Sequence, residues 1–188
     1  MIPALWQFFY WLWVGSEIVI GVGTRTKKSS GRTRDRGSLL LLWLVLVASL
    51  TAAIWHSEVT PPDMYGGAHI LKWIGLVILI IALAIRWTAI YTLGKAFSSN
   101  VAILDSQKLN QSGVYRFVRH PSYLGLWLVF IAVGVHSRNW LSFALATIPT
   151  TAALLYRIHV EENALVQAFG DQYITYAKST KRLIPGVY

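Results

Sequence analysis

Side chains capable of chemistry are concentrated at the edge of an apolar segment, in the sequence Gly-Val-Tyr-Arg-Phe-Val-Arg-His-Pro-Ser-Tyr at residues 113–123. Pro121 suits the first turn of a helix and disfavours helical geometry at the residue before it. A helix is therefore predicted to begin at Pro121, with the backbone N–H groups of Ser122 and Tyr123 exposed toward the preceding loop. Together with the Arg-His pair, these donors could receive an anion such as a carboxylate. The simpler alternative is that the Arg-His pair only marks the boundary of a membrane span.

A second polar cluster lies at the end of the last apolar run. Arg157 and Glu161 are four residues apart, so they share one face of a helix, and Glu162 follows directly. The simplest interpretation is a local ion pair, worth under ~0.5 kcal/mol if it is exposed. The functional interpretation is that these charges face the first cluster. The amphipathic residues 164–169, ended by Gly170, would then cover the site as a lid or lie on the bilayer surface.

Composition identifies the elements that must position these clusters. Hydrophobic residues make up 55% of the 188 residues and charged residues 13%, which is typical of a polytopic membrane protein. Four or five apolar runs approach the roughly 20 residues that a helix needs to cross a bilayer. The runs are Ile2 to Val22, Leu39 to Trp55, His69 to Leu93, Tyr123 to His136, and Trp140 to Ile158. The fold class predicted is an all-α polytopic transmembrane bundle of about five spans.

The last two runs are predicted to form a C-terminal helical hairpin. The fourth run is short for a full crossing, and only residues 137–139 connect it to the fifth. We find no internal repeat, and the chain is interpreted as one domain, with N-terminal spans in residues 1–93 and a catalytic part in residues 94–188. The first run lacks the basic start of a secretory signal and is interpreted as a retained span. The absence of cysteine excludes disulfides, thiolate metal sites and thiol nucleophiles.

The net charge of +9 could serve nucleic acid or anionic lipid, and the apolar runs favour lipid. Basic residues beside a membrane helix are attracted to acidic headgroups by about 1 kcal/mol each, whereas no recognised nucleic-acid-binding module is present. Most of the 17 basic residues lie in the first loop, in the loop between the third and fourth spans, or at and after the end of the fifth span. If successive spans cross the membrane in alternate directions, these three segments lie on the same side. Because such residues are retained in the cytoplasm, the N-terminus is predicted outside and the C-terminus in the cytoplasm.

Two further ionisable residues, Glu17 and Arg86, fall inside predicted spans. Charged groups at this depth are costly and are often functional. Arg86 lies near the cytoplasmic end of the third span and could reach the site. Glu17 is expected to pair with the basic first loop. For each residue, a purely structural role remains the alternative.

The order of these motifs resembles the isoprenylcysteine carboxyl methyltransferase family and its prokaryotic relatives. The matching elements are Gly-Val-Tyr at 113–115, Arg-His-Pro-Ser-Tyr at 119–123, the two-span hairpin, Glu-Glu-x-x-Leu at 161–165, Phe-Gly-x-x-Tyr at 169–173, and Arg-Leu-Ile-Pro at 182–185. The resemblance covers about half of the chain, from Arg86 onward. The N-terminal spans match only in being hydrophobic.

The resemblance implies an integral membrane enzyme that uses S-adenosylmethionine, bound in a cytoplasmic pocket. Carried over residue by residue, the cofactor-binding positions are Gln107, Lys108, Leu109, Asn110, Tyr115, His120, Pro121, Ser122, Tyr123 and Glu161. Residues 107–110 differ in type from the eukaryotic pattern, so backbone contacts are the ones expected there. Arg157 occupies the place of an arginine that contacts substrate in eukaryotic members.

Methyl transfer from a sulfonium to a carboxylate needs no general base, because the acceptor is already ionised at neutral pH. The protein must supply alignment, desolvation and charge matching. Arg157 is predicted to hold the acceptor carboxylate, and Arg119 and the following helix N-terminus the methionine carboxylate. Either Glu161 or Glu162 would receive the cofactor's ammonium or ribose hydroxyls. The tyrosines of the first cluster would pack against adenine or the sulfonium.

A site at bilayer depth favours a lipophilic acceptor, most simply a prenylcysteine-like carboxylate that enters from the membrane. Three alternatives remain open at this point. A related lipid methyltransferase would methylate a phospholipid amine, with Glu162 as base; a membrane sterol reductase would use a nicotinamide cofactor; a transporter or sensor would catalyse nothing. The small size favours a prokaryotic version in the cytoplasmic membrane.

Overall fold

The computed structural model describes residues 2–23, 32–33, 37–64, 68–94, 102–103 and 109–188. The helices are α1 (Ile2–Gly23), α2 (Ser38–Val59), α3 (Ala68–Leu93), α4 (Pro121–Ser137), α5 (Trp140–Phe169) and α6 (Asp171–Ser179). A 3-10 turn, Gly113–Arg116, precedes α4, and two antiparallel two-residue strands pair, β1 (Arg32–Thr33) with β2 (Ala102–Ile103). The prediction of an all-α bundle is confirmed, with this short ladder as an addition.

Within the described residues, four helices, α1, α2, α3 and α5, are long and apolar enough to cross a membrane. Helix α4 is also apolar but has 17 residues, which gives it a length of about 25 Å at 1.5 Å per residue. The fourth apolar run, which is short in the sequence, therefore also forms a short helix in the structure. The bundle agrees with the predicted count of about five spans.

Contacts between the turns define two ends of the bundle. The carbonyl of Arg138 accepts hydrogen bonds from the backbone N–H groups of Asp63 and Met64, at 3.1 and 3.0 Å. The α4–α5 turn therefore lies beside the α2–α3 turn, at what we call the hairpin end. The opposite end, where α3 stops and α4 begins, is called the site end. Helix α4 therefore runs from the site end to the hairpin end.

The predicted tight hairpin between α4 and α5 is confirmed. Arg138 takes the left-handed conformation, with φ of 56°, and ends α4. Asn139 then caps α5, since its Oδ1 accepts from the backbone N–H of Ser142 at 2.9 Å. A carboxylate oxygen of Asp63 accepts from the N–H of Trp140 at 2.8 Å. Short polar side chains thus satisfy the exposed backbone groups of this turn.

Helix α5 is longer than the sequence predicts. The predicted fifth span stops at Ile158, whereas the helix continues to Phe169, so residues 164–169 are its last turns rather than a separate lid. Gly170, with φ of 53°, ends it as predicted. Because the helix continues past Ile158, Arg157 and the acidic pair lie on the same helix as the membrane-spanning part.

Helices α3 and α4 approach closely because glycine lies at their contact. A Cβ at Gly125 would come within 2.8 Å of the Ala82 carbonyl oxygen and 2.9 Å of the Arg86 backbone nitrogen. Small residues allow this approach between membrane helices. The close contact places the first turns of α4 against the end of α3 that carries Arg86.

Replacing Gly125 by alanine should separate α3 from α4, because the atoms it would meet belong largely to the backbone. We expect a loss of about 1–3 kcal/mol, seen as a lower thermal midpoint in detergent. Gly15→Ala is the matched control: that helical glycine has no atom within 4 Å of an added Cβ, and alanine is the better helix former. Equal midpoints for the two variants would contradict this packing.

Candidate active site

The carboxylate of Glu162 joins three parts of the site end. Its Oε1 accepts from Arg119 Nε at 2.8 Å and from the hydroxyl of Tyr173 at 3.2 Å, and lies 3.4 Å from His120 Nε2. Its Oε2 accepts from Arg182 Nε at 2.8 Å. The loop before α4, helix α6 and the C-terminal segment are therefore fixed on one side chain of α5.

The C-terminal segment is also attached through its backbone. The carbonyls of Lys181 and Arg182 accept from the N–H groups of Arg119 and His120, at 2.8 and 3.0 Å. Arg119 Nη1 donates to the carbonyl of Ala177 at 2.9 Å. Residues 180–182 thus run alongside residues 118–120, which explains why the closing Arg-Leu-Ile-Pro motif belongs to the site end.

Arg157, Tyr123 and Glu161 form the second part of the site. The phenol of Tyr123 donates to Glu161 Oε2 at 2.6 Å and accepts from Arg157 Nε at 3.3 Å. Arg157 is 1% exposed, and its Nη1 donates to the hydroxyl of Ser38 at the start of α2. The structure therefore brings the two clusters predicted from the sequence together, with Tyr123 bridging α4 and α5.

Two buried tyrosines form the wall beside this cluster. Burial raises the pKa of Tyr115 above its ordinary value, and the nearby charge of Glu161 raises it further. Its hydroxyl donates to the Ala89 carbonyl at 3.3 Å, and its own carbonyl accepts from the hydroxyl of Tyr176 at 2.5 Å. Burial likewise raises the pKa of Tyr176 to about 12. Both phenols are therefore neutral donors at physiological pH.

The loop positions predicted to contact the cofactor are only partly described. Leu109 and Asn110 are half-buried, whereas Gln107 and Lys108 lie outside the described residues. Asn110 Nδ2 donates to the Thr92 carbonyl at 3.1 Å, and its Oδ1 accepts from the N–H of Ser112 at 2.8 Å. The amide of Asn110 thus ties the loop to the end of α3.

Helix α4 starts where the sequence predicts, but not all of its first backbone N–H groups are exposed as predicted. The helix begins at Pro121, and His120 is non-helical, with φ of −123° and ψ of 58°. However, the N–H of Tyr123 donates to the His120 carbonyl at 3.1 Å. The prediction that it faces the loop as an open donor is wrong, because the first turn closes on that carbonyl.

Glu17 and Arg86 pair with each other. Arg86 Nη2 donates to Glu17 Oε2 at 2.6 Å, and Arg86 Nε contacts the other carboxylate oxygen. Among the described residues the ionic partner of Glu17 is therefore Arg86, because α1 packs against α3. Most of the basic first loop, with which Glu17 is expected to pair, lies outside the described residues. Arg86 does reach the site end, since its Nη1 donates to the Ser122 carbonyl and hydroxyl, both at 2.9 Å.

Three residues that contact Glu162 or Arg157 were not singled out by sequence. Tyr173 and Arg182 lie within the motifs that carry the family resemblance, which was a signal that they matter but not of their partner. Ser38 follows a loop and precedes an apolar run, so nothing in its sequence context pointed to Arg157. Tertiary contacts between different elements of the fold decide all three roles.

Arg119 and Arg182 offer a matched test of the Glu162 network, because each donates to its carboxylate at 2.8 Å. The side chain of Arg119 is 8% exposed and that of Arg182 is 40% exposed. Arg119→Ala should cost about 3 kcal/mol, since it leaves a buried carboxylate underpaired, and Arg182→Ala under ~1 kcal/mol. Thermal midpoints in detergent measure both, and similar losses would contradict this ranking.

Comparison with known proteins identifies the relatives of this chain. The family model described as the isoprenylcysteine carboxyl methyltransferase (ICMT) family matches residues 73–167. A protein of Oryza sativa subsp. indica, named probable protein-S-isoprenylcysteine O-methyltransferase, is 30% identical over 176 residues, covering 91% of this chain and 89% of the relative. Protein-S-isoprenylcysteine O-methyltransferase B of Arabidopsis thaliana is 34% identical over 115 residues, 60% of this chain and 58% of the relative.

A solved structure gives the same assignment. It is described as the eukaryotic intramembrane Ras methyltransferase ICMT, and it superposes with a TM-score of 0.59 at 29% identity. The match covers 77% of this chain and 52% of that one, so this chain spans about half of its length. Because these relatives are eukaryotic, the prediction of a prokaryotic version is not borne out. The protein is an integral membrane methyltransferase, and it belongs to the isoprenylcysteine carboxyl methyltransferase family.

Proposed function

We propose that this protein transfers a methyl group from S-adenosylmethionine to the carboxylate of a prenylcysteine-like acceptor, giving a methyl ester. The observation that carries this proposal is the cluster of Arg157, Tyr123 and Glu161. A guanidinium that is 1% exposed on a membrane helix offers an acceptor carboxylate a desolvated, geometrically specific partner. The names of the rice and Arabidopsis relatives, which specify O-methylation of isoprenylcysteine, support the same acceptor.

The residues around Glu161 fit the charges of S-adenosylmethionine. Glu161 is half-buried and holds a carboxylate whose neighbour is a phenol, which suits an ammonium or ribose hydroxyls. The ring faces of Tyr115 and Tyr123 suit adenine and the positive sulfonium. The proposed binding residues are Leu109, Asn110, Tyr115, His120, Pro121, Ser122, Tyr123 and Glu161, with Gln107 and Lys108 outside the described residues.

When bound, S-adenosylmethionine supplies a methyl group on a sulfonium: the acceptor oxygen forms the new bond to carbon while the sulfur–carbon bond breaks and its electron pair stays on sulfur. No proton moves in this exchange, so the chain needs no general base. Arg157 aligns the carboxylate and replaces the water that it loses on entering the site. The phenol of Tyr123 holds Arg157 and Glu161 at a fixed separation.

Glu161 and Glu162 are proposed to have different roles. Glu162 already accepts from the guanidinium groups of Arg119 and Arg182, so its charge is matched within the protein. Glu161 is therefore assigned to the cofactor. Arg119 is assigned to holding Glu162 and the C-terminal segment in place, and the methionine carboxylate to the start of α4, where a helix N-terminus favours an anion.

The site end is proposed to face the cytoplasm, with the N-terminus outside. Arg116, Lys178 and Lys181 are exposed there, as expected for residues retained on the inner side and attracted to anionic headgroups. A lipophilic acceptor would then enter from the bilayer and the polar cofactor from water. The proposed partners are therefore the lipid bilayer and a lipidated or lipophilic acceptor.

Incubating the purified protein with S-adenosylmethionine labelled in its methyl group tests the proposal. With prenylcysteines in the acceptor panel, we expect label that base releases, because a methyl ester hydrolyses. Base-stable label on a phospholipid amine would replace this function by N-methylation. Calorimetric binding of NADPH without binding of S-adenosylhomocysteine would contradict methyl transfer altogether.

Variants of α5 should separate the two substrates. A hydrogen bond to a charged group is worth about 1.5–3 kcal/mol, or about 10–100-fold. Glu161→Gln should weaken S-adenosylhomocysteine binding by about that factor, whereas Arg157→Lys should lower kcat/KM for the acceptor and spare that binding. Tyr156→Phe is the matched control, because Tyr156 is 45% exposed. The assignment fails if both charge variants affect the same substrate.

A further inference from the structure

A buried ion pair connects α1 to the site. Glu17 and Arg86 are 4% and 5% exposed, and each lies in a candidate membrane span. Arg86 Nε and Nη2 donate to the two carboxylate oxygens of Glu17, which is the bidentate arrangement that fixes a guanidinium in orientation as well as position. The indole Nε1 of Trp13 donates to the same carboxylate at 3.2 Å, so the carboxylate itself is held from its own helix.

The remaining terminal nitrogen of Arg86 acts on α4. Its Nη1 donates to both the carbonyl and the hydroxyl of Ser122, each at 2.9 Å. Ser122 lies between His120, which is close to Glu162, and Tyr123, whose phenol contacts Glu161. Arg86 therefore holds the start of α4, whose neighbouring side chains contact both Glu161 and Glu162.

The contact with Glu17 sets the direction in which Arg86 Nη1 points. With Nε and Nη2 bound to the carboxylate, the plane of the guanidinium is set, and Nη1 is left facing α4. The absence of a side chain at Gly125 permits this arrangement, because a Cβ there would lie 2.7 Å from the Cβ of Arg86. Without the carboxylate, an arginine has several rotamers in which it would no longer meet Ser122.

Stability alone does not account for such a pair. Replacing a buried ion pair with apolar residues of similar volume is often neutral or stabilising, and ionisable groups inside a membrane are often functional. We propose that Glu17 is a positioning residue for methyl transfer: through Arg86 it fixes the first turn of α4 and thereby the phenol of Tyr123. This inference rests on the proposed function, which supplies the reaction that the turn serves.

The test compares Glu17→Gln and Glu17→Asp with Glu58→Gln, which makes the same change at an exposed position of α2. Methyl transfer and binding of S-adenosylhomocysteine are measured in the full-length protein in detergent. Glu17→Gln should lower kcat by about 10–100-fold, since misplacement of a reacting group by about 1 Å can cost about 100-fold, and should weaken binding of the cofactor product. Glu17→Asp keeps the charge on a shorter side chain and should retain more activity than Glu17→Gln, and Glu58→Gln should behave as wild type.

A double variant covers the case in which a lone charge prevents folding. Glu17→Met combined with Arg86→Met removes both charges, so its thermal midpoint should equal or exceed that of wild type while kcat still falls. Wild-type kcat and binding in Glu17→Gln, or in the double variant, would overturn the role of Glu17. An inactive wild-type protein that does not bind S-adenosylhomocysteine would instead overturn the proposed function, so the two failures are distinguishable.

Discussion

The interaction on which the site end depends is the carboxylate of Glu162 between two guanidinium groups. Arg119 reaches it from the loop before α4, and Arg182 from the C-terminal segment. A carboxylate on a largely buried face is costly unless it is paired and hydrogen-bonded, so each partner segment is held at the charge it neutralises. This requirement brings residues far apart in the chain to the end of α5, where Arg157 and Glu161 lie.

The two adjacent glutamates therefore have different environments. Consecutive residues on a helix point about 100° apart, so Glu162 faces the loop and the C-terminal segment while Glu161 faces α4. The charge of Glu162 is paired with two arginines, whereas Glu161 accepts a hydrogen bond from the phenol of Tyr123. Charge alone leaves the two glutamates interchangeable in the sequence, and only the family resemblance predicted Glu161 as the cofactor-binding one. These contacts support the proposal that Glu162 has a structural role and that Glu161 binds the cofactor.

Local rules predicted what depends on neighbours in sequence. Pro121 marked the start of α4, Gly170 the end of α5, and residues 137–139 the hairpin, because each fixes backbone geometry near itself. Hydropathy gave the depth of Glu17 and Arg86 but not the side of the helix that each would face. The Glu17–Arg86 pair, the Ser38–Arg157 contact and the Arg182–Glu162 pair depend on how helices are arranged around one another. That arrangement is set by packing, for which Gly125 is the clearest local sign, and no spacing rule supplies it.

Amide hydrogen exchange with and without S-adenosylhomocysteine tests the central claim most directly, namely that residues 113–123 and 157–163 form two walls of one cofactor site. The ligand should protect amides in both segments together and leave the hairpin end, residues 60–64 and 137–141, unchanged. Protection confined to one wall, or appearing at the hairpin end, would contradict the account.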